Sequence, residues 1–175
     1  MSVDDFFTRL NPALRAILRS PLHPLLSRGL LLLTFTGRKT GKRFTIPVGY
    51  QSEEVGVLTV MASEAPKKQW WKNYRQPGPV EVRLRGRTRT GTARLLDPKA
   101  AEFRDCAVRT LLRVPAMGRI WGIDYDREAG LSEAQATALA SDIAAVRIQL
   151  DPALPGGVQS DPALPGGAPR DPGLR

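Results

Sequence analysis

Leu30-Leu31-Leu32-Leu33-Thr34-Phe35-Thr36-Gly37-Arg38-Lys39-Thr40-Gly41-Lys42-Arg43-Phe44-Thr45-Ile46-Pro47-Val48-Gly49 is the stretch on which the fold turns. Its apolar opening ends at Thr36 and Gly37, far short of the roughly 20 apolar residues that a membrane-spanning helix needs. A short apolar run bounded by turn residues reads as a buried strand. Gly37 and Gly41 then let the chain curl, because glycine tolerates positive φ. The strand pattern resumes over Arg43 to Gln51 and again over Val55 to Met61, so three consecutive antiparallel strands are expected.

The turn between the first two strands, Gly37 to Arg43, holds two glycines and four cationic side chains. Such a turn can present backbone N–H groups, the Thr40 hydroxyl and fixed positive charge to a phosphate. It is not a Walker loop, which needs four residues between its first glycine and a Gly-Lys-Ser/Thr sequence and opens a helix. A basic hairpin tip in water would have the same composition, so the residues alone leave both readings open.

Further along, Lys67 to Arg75 reads as a short helix carrying Trp70, Trp71, Asn73 and Tyr74. In a helix Trp70 shares a face with Asn73, and Trp71 shares the neighbouring one with Tyr74. One aromatic pair then packs the interior and the other is free to line a pocket for a flat ring, though these residues alone are equally compatible with plain core packing. Pro77-Gly78-Pro79 forces a loop. Val80 to Arg85 and Arg87 to Leu96 alternate apolar with charged residues around Gly86, the pattern of a hairpin with one wet face. Asp97 can cap a helix from Pro98 to about Arg113, Ser132 and Glu133 open another, and Ala144 to Leu150 is the expected last strand.

Composition narrows the chemistry. Cys106 is the only cysteine and His23 the only histidine in 175 residues. A disulfide framework, a multi-cysteine metal site and histidine base catalysis therefore have little to work with, and cofactor-borne chemistry without a metal is expected. The Cys106 thiol reads as a small core residue. The net charge of +9 raises the question of nucleic acid. No helix-turn-helix, finger or RNP-type signature accompanies the basic clusters, so nucleic acid is disfavoured against an anionic small molecule.

Asp4 to Ser20 has the spacing of an amphipathic helix, suited to packing on the barrel or to peripheral contact with a membrane surface. No secretory signal is visible, and a cytoplasmic location is the expectation. Asp-Pro-Ala-Leu-Pro-Gly-Gly occurs at 151–157 and again at 161–167; that composition favours a disordered tail. The expected division is a helical segment over 1–29, one cofactor-binding domain over 30–150, and a tail over 151–175.

Thr34 to Gly41, with Arg43, Thr45 and Pro47 downstream, then Ala62-Ser63, then Trp70 and Asn73 spaced as Trp-x-x-Asn, together resemble the deazaflavin-dependent nitroreductase family, reductases that use coenzyme F420. The resemblance runs from about Leu30 to Leu96, with a weaker echo near Val146 to Leu150. It implies a mainly β (α+β) fold, a six-stranded antiparallel split β-barrel of the FMN-binding type with peripheral helices. It also implies that Arg38, Lys39, Thr40, Gly41 and Arg43 hold the coenzyme's phosphate-bearing tail, that Ser63, Trp70 and Asn73 lie near the ring, and that Tyr125 covers the substrate. Family members commonly carry a longer glycine-rich loop after the alanine-serine pair, whereas here Glu64, Ala65 and Pro66 lead directly into Lys67, which keeps FMN open as the alternative cofactor. The implied activity is hydride transfer from the reduced deazaflavin to a small-molecule electron acceptor such as a quinone, nitroaromatic or activated alkene, in a chain that can assemble as a homodimer. A non-catalytic split-barrel binding protein and a binder of nucleic acid or anionic surfaces are the competing readings.

Overall fold

Alternation of large apolar side chains sets the architecture. In the computed structural model, which describes residues 29–152, seven strands form one antiparallel sheet. They are β1 (Leu30–Thr36), β2 (Arg43–Gly49), β3 (Gln51–Glu54), β4 (Val57–Ala62), β5 (Gly78–Leu84), β6 (Arg87–Leu95) and β7 (Ala144–Leu150). Leu31, Leu33 and Phe35 of β1 meet Leu58 and Val60 of β4, Val80 and Val82 of β5, and Val146, Ile148 and Leu150 of β7 in one core. Each such side chain contributes about 1.5–3 kcal/mol on burial, so a one-residue slip of any strand would forfeit its whole inner face. Leu32 and Thr34, on the other face of β1, are buried too. Burial on both faces explains why Leu30 to Leu33 show no alternation with polar residues.

The strand order is β2-β1-β5-β6-β7-β4-β3. Its two outermost strands, β2 and β3, are joined through the single residue Tyr50, whose N–H donates to Gly29 O at 3.2 Å. The strand expected to end at Gln51 instead runs on to Glu54, as one long strand bent at Tyr50 whose first part pairs with β1 and whose last part pairs with β4. This is how an expectation of six strands becomes seven segments of a mainly β split barrel with few helices. At the crowded junction of β6 and β7 stands Gly91, where a Cβ would come within 2.3 Å of Gln149 O.

Helices α1 (Ala101–Arg113), α2 (Ala116–Ile120) and α3 (Glu133–Asp142) build a second core outside the barrel. There Phe103, Cys106 and Leu111 pack with Ile123, Leu139 and Ala145. Ser132 caps α3 in a reciprocal box with Gln135. Asp97 does not cap α1: its carboxylate accepts the Lys99 N–H at 2.9 Å in a local turn, and the helix starts at Ala101. The expected helix over Lys67 to Arg75 is two short 3₁₀ pieces, Ala65–Lys67 and Trp70–Tyr74, separated by extended Lys68. Tertiary anchors override local helix propensity here, because Trp71 Nε1 donates to Ala65 O at 2.8 Å while Asn73 reaches the basic turn.

A polar seam joins α1 to the sheet. Glu53 of β3 is paired with Arg147 of β7 and, at 3.2 Å, with Arg109 of α1. It also accepts from the Thr59 hydroxyl and, at 3.2 Å, from the Cys106 thiol. Burial pushes the Glu53 carboxyl up, but those two hydrogen bonds and the two guanidinium groups together outweigh it and leave the group below its ordinary value. Burial and the Glu53 carboxylate push the Cys106 thiol up, consistent with an inert, fully buried core residue. The helix expected between Asp4 and Ser20 and the repeats after residue 152 lie outside the described residues. No helix among the described residues is long and apolar enough to cross a membrane.

Candidate functional site

The basic turn between β1 and β2 is tightly wound. Gly37 N–H donates to Lys42 O at 2.8 Å, and Gly37 O accepts from Thr40 N at 3.2 Å and Gly41 N at 2.8 Å. Gly41 holds φ +64°, a conformation that favours glycine. A Cβ on Gly37 would lie 2.8 Å from the Phe44 ring and 3.0 Å from Thr40 Oγ1. Lys42 N–H donates to Thr40 Oγ1 at 3.3 Å, which leaves the Thr40 hydroxyl proton free to donate.

These bonds change how the turn can meet an anion. Most of its backbone N–H groups are engaged within the chain, so the cationic side chains must carry the recognition. Arg38, Lys39 and Lys42 are exposed and form no ion pair with any described residue. Arg43 is already paired with Glu81 of β5 at 2.7 Å. Three cations with no ion pair among the described residues, on a tightly hydrogen-bonded turn, suit a phosphate-bearing group, with Arg43 the least available of the four.

Asn73 ties this turn to the rest of the site. Its Oδ1 accepts the Arg38 N–H at 2.8 Å, and its Nδ2 donates to Trp70 O at 2.7 Å. The Trp-x-x-Asn segment and the basic turn, 35 residues apart at this contact, are therefore in direct contact. Trp70 and Trp71 are both half-buried against the barrel core. Of the pair, Trp71 lines a cavity of about 450 Å³ and Trp70 does not. The interior aromatic of the segment is Tyr74, edge-on to Phe35 at 6.4 Å between ring centroids and only 2% exposed. Its hydroxyl has no hydrogen-bond partner among the described residues, and burial pushes that phenol far up.

Ser63 follows β4. Its Oγ accepts from Trp121 Nε1 at 2.9 Å and its carbonyl from Lys68 Nζ at 2.8 Å, leaving the hydroxyl proton to donate elsewhere. Trp121 was not singled out by sequence reasoning; its signal is a lone tryptophan between Gly118 and Gly122, in a region otherwise poor in motifs. The same turn leads to Tyr125, which lines a cavity of about 490 Å³ with Leu111, Ile123, Arg119 and Arg127. None of the basic turn, Ser63, Trp70 or Asn73 lines that cavity. The structure thus joins Arg38 to Asn73 and Trp70, and joins Ser63 to the segment carrying Tyr125 through Trp121.

Residues 21–115, more than half of the chain, match the family model described as F420H(2)-dependent quinone reductase. Among solved structures, one described as an F420-H2 dependent reductase (FDR-A) is 21% identical, with 69% of this chain and 94% of that chain covered and a TM-score of 0.47. The heme storage protein HutZ of Vibrio cholerae is 12% identical, with 77% and 91% covered and a TM-score of 0.48. The general stress FMN/FAD binding protein of Xanthomonas citri is 17% identical, with 78% and 90% covered and a TM-score of 0.42. No curated protein matches.

Proposed function

The chain belongs to the F420H(2)-dependent quinone reductase family and is an oxidoreductase using coenzyme F420; on that premise we propose that it reduces a quinone, with nitroaromatics and activated alkenes as alternative acceptors. The observation that carries the reading is the Gly37–Lys42 turn, tightly hydrogen-bonded, rich in cations with no ion pair among the described residues, and bonded through Arg38 N–H to Asn73. When bound, the reduced deazaflavin supplies the hydride. The chain's own residues bind and orient. Arg38, Lys39 and Lys42 hold the phosphate-bearing tail, with the Thr40 hydroxyl as a further donor. Arg43 exchanges part of its Glu81 pairing for the same anion. Asn73 fixes the turn against the Trp70 segment, and the Ser63 hydroxyl, oriented by Trp121, offers a donor toward the ring. Tyr125, on the turn whose Trp121 bonds Ser63, is assigned to the acceptor side.

Titration with reduced F420 and with FMN, followed by turnover with a soluble quinone, tests this reading. Saturable F420 binding that weakens with salt, and a fall in affinity in Arg38→Ala/Lys39→Ala without loss of fold, are the expected results. Preference for FMN, or unchanged F420 affinity in the folded double variant, would remove the cradle. A homodimer in a cytoplasmic location, with the barrel domain over 30–150 as the coenzyme-binding unit, completes the proposal; light scattering of the purified chain tests the assembly.

A further inference from the structure

The 450 Å³ cavity beside Trp71 shares no lining residue with the basic turn or with the cavity of Tyr125. It lies between the 3₁₀ segments, the start of β7 and helices α1 and α3. Its floor includes Ala65, Leu95, Leu96, Phe103, Ile143 and Ala145, all but Leu95 already buried in the fold, so it is an open groove whose volume is in the range of small-molecule pockets.

Little polar capacity is left in the lining. Trp71 Nε1 is engaged with Ala65 O, and the Ser141 hydroxyl donates to Ala138 O at 2.7 Å. What remains are two cations, Lys72 and Arg75, which also line the cavity. They lie 5.5 Å and 5.7 Å from the centre of the Trp71 ring, and neither pairs with a carboxylate among the described residues. Two positive charges with no carboxylate partner among the described residues would repel a cationic guest, whereas a neutral guest would leave them as they stand, against the Trp71 ring and in water. They complement a molecule with an apolar body and one anionic end.

We propose that this cavity is a second ligand site, separate from the coenzyme's, for an amphipathic anion of the medium-chain carboxylate type, with the chain or ring against Phe103, Leu95 and Ile143 and the carboxylate between Lys72 and Arg75. The site does not depend on the identity of the coenzyme, since it uses none of the cradle residues.

The test is calorimetric titration of the full chain with decanoate, decanol and decyltrimethylammonium, with tryptophan fluorescence reporting on Trp71. Decanoate should bind saturably at a single site, about tenfold or more tighter than decanol, with decyltrimethylammonium weaker still. Lys72→Ala/Arg75→Ala should bring decanoate down to the level of decanol while the thermal midpoint is retained. No saturable decanoate binding, equal affinity for the three amphiphiles, or undiminished decanoate binding in the double variant would overturn the proposal. If the double variant does not fold, the ranking of the three amphiphiles on the native chain decides it alone.

Discussion

Replacing Asn73 by Ala severs the one side-chain link between the basic turn and the Trp70 segment. The two bonds lost are Arg38 N–H to Oδ1 at 2.8 Å and Nδ2 to Trp70 O at 2.7 Å. A typical intramolecular hydrogen bond contributes a net ~0.5–1.5 kcal/mol, and water reaches the exposed Arg38 end, so the pair together should cost about 1–2 kcal/mol. For a protein of this length that corresponds to a fall in Tm of about 2–8 °C. The larger signature is functional. A turn no longer held in place must be ordered when the coenzyme binds, and ~1 kcal/mol of such ordering raises KM for reduced F420 about fivefold. Because both polar ends of Asn73 are already engaged inside the chain, kcat should change little. Asn73→Asp keeps the acceptor for Arg38 N–H but places a negative charge beside the anion site, so its KM should exceed that of the alanine variant. Steady-state kinetics with a soluble quinone, beside thermal melts, measure both. A folded Asn73→Ala variant with unaltered KM would refute the argument that Asn73 positions the turn.

Three further outcomes are expected. Tyr74→Phe removes a buried hydroxyl that has no partner among the described residues, so the variant should be more stable by up to about 1–3 kcal/mol in urea unfolding; a loss of stability would show that the hydroxyl is bonded after all. Gly91→Ala would drive a methyl against the β7 backbone, 2.3 Å from Gln149 O and 2.9 Å from Leu150 Cα, at a cost of about 1–3 kcal/mol or more; an unchanged denaturation midpoint would contradict the crowding. Glu53, held below its ordinary carboxyl value of 4.5, contributes stability that is present above that pH and lost as pH falls through the lower folded value. Glu53→Gln should therefore be less stable near neutrality and lose less than the native chain on acidification. Parallel acid titration of the two chains would expose the error if their curves ran together.

How far the sequence could be read depended on the range of the contacts involved. β1, the β5–β6 hairpin and β7 were legible because a strand's alternation or a buried run is written in consecutive residues, and the Gly37–Gly41 turn because glycine and charge cluster locally. The bend at Tyr50 was not legible: nothing in Arg43 to Glu54 announces that one strand will serve both edges of the sheet. The helix expected over Lys67 to Arg75 is present only as the 3₁₀ turn Trp70–Tyr74, because anchors on Ala65 and Arg38 set its geometry more than local propensity does. The Glu53 seam draws on positions 53, 59, 106, 109 and 147, and the Trp121–Ser63 bond spans 58 residues, distances at which periodicity carries no information. Spacing likewise could not say that Arg43 is shared with Glu81 while its neighbours in the turn stand free.

The place of β7 in the sheet has a bearing on how the chain folds. β1 with β2, β3 with β4, and β5 with β6 are each joined by short local connections, so these three hairpins can form as soon as their residues are available. β7 is the remaining stave, entering between β6 and β4 with both of its neighbours antiparallel. Its partner Val57 is met by Gln149, so that pairing closes a loop of about ninety residues, and a contact this distant is slow to find. During synthesis, the facing edges of β4 and β6 stay open until residues 144–150 have left the ribosome. In that interval they are open templates for pairing with the wrong strand.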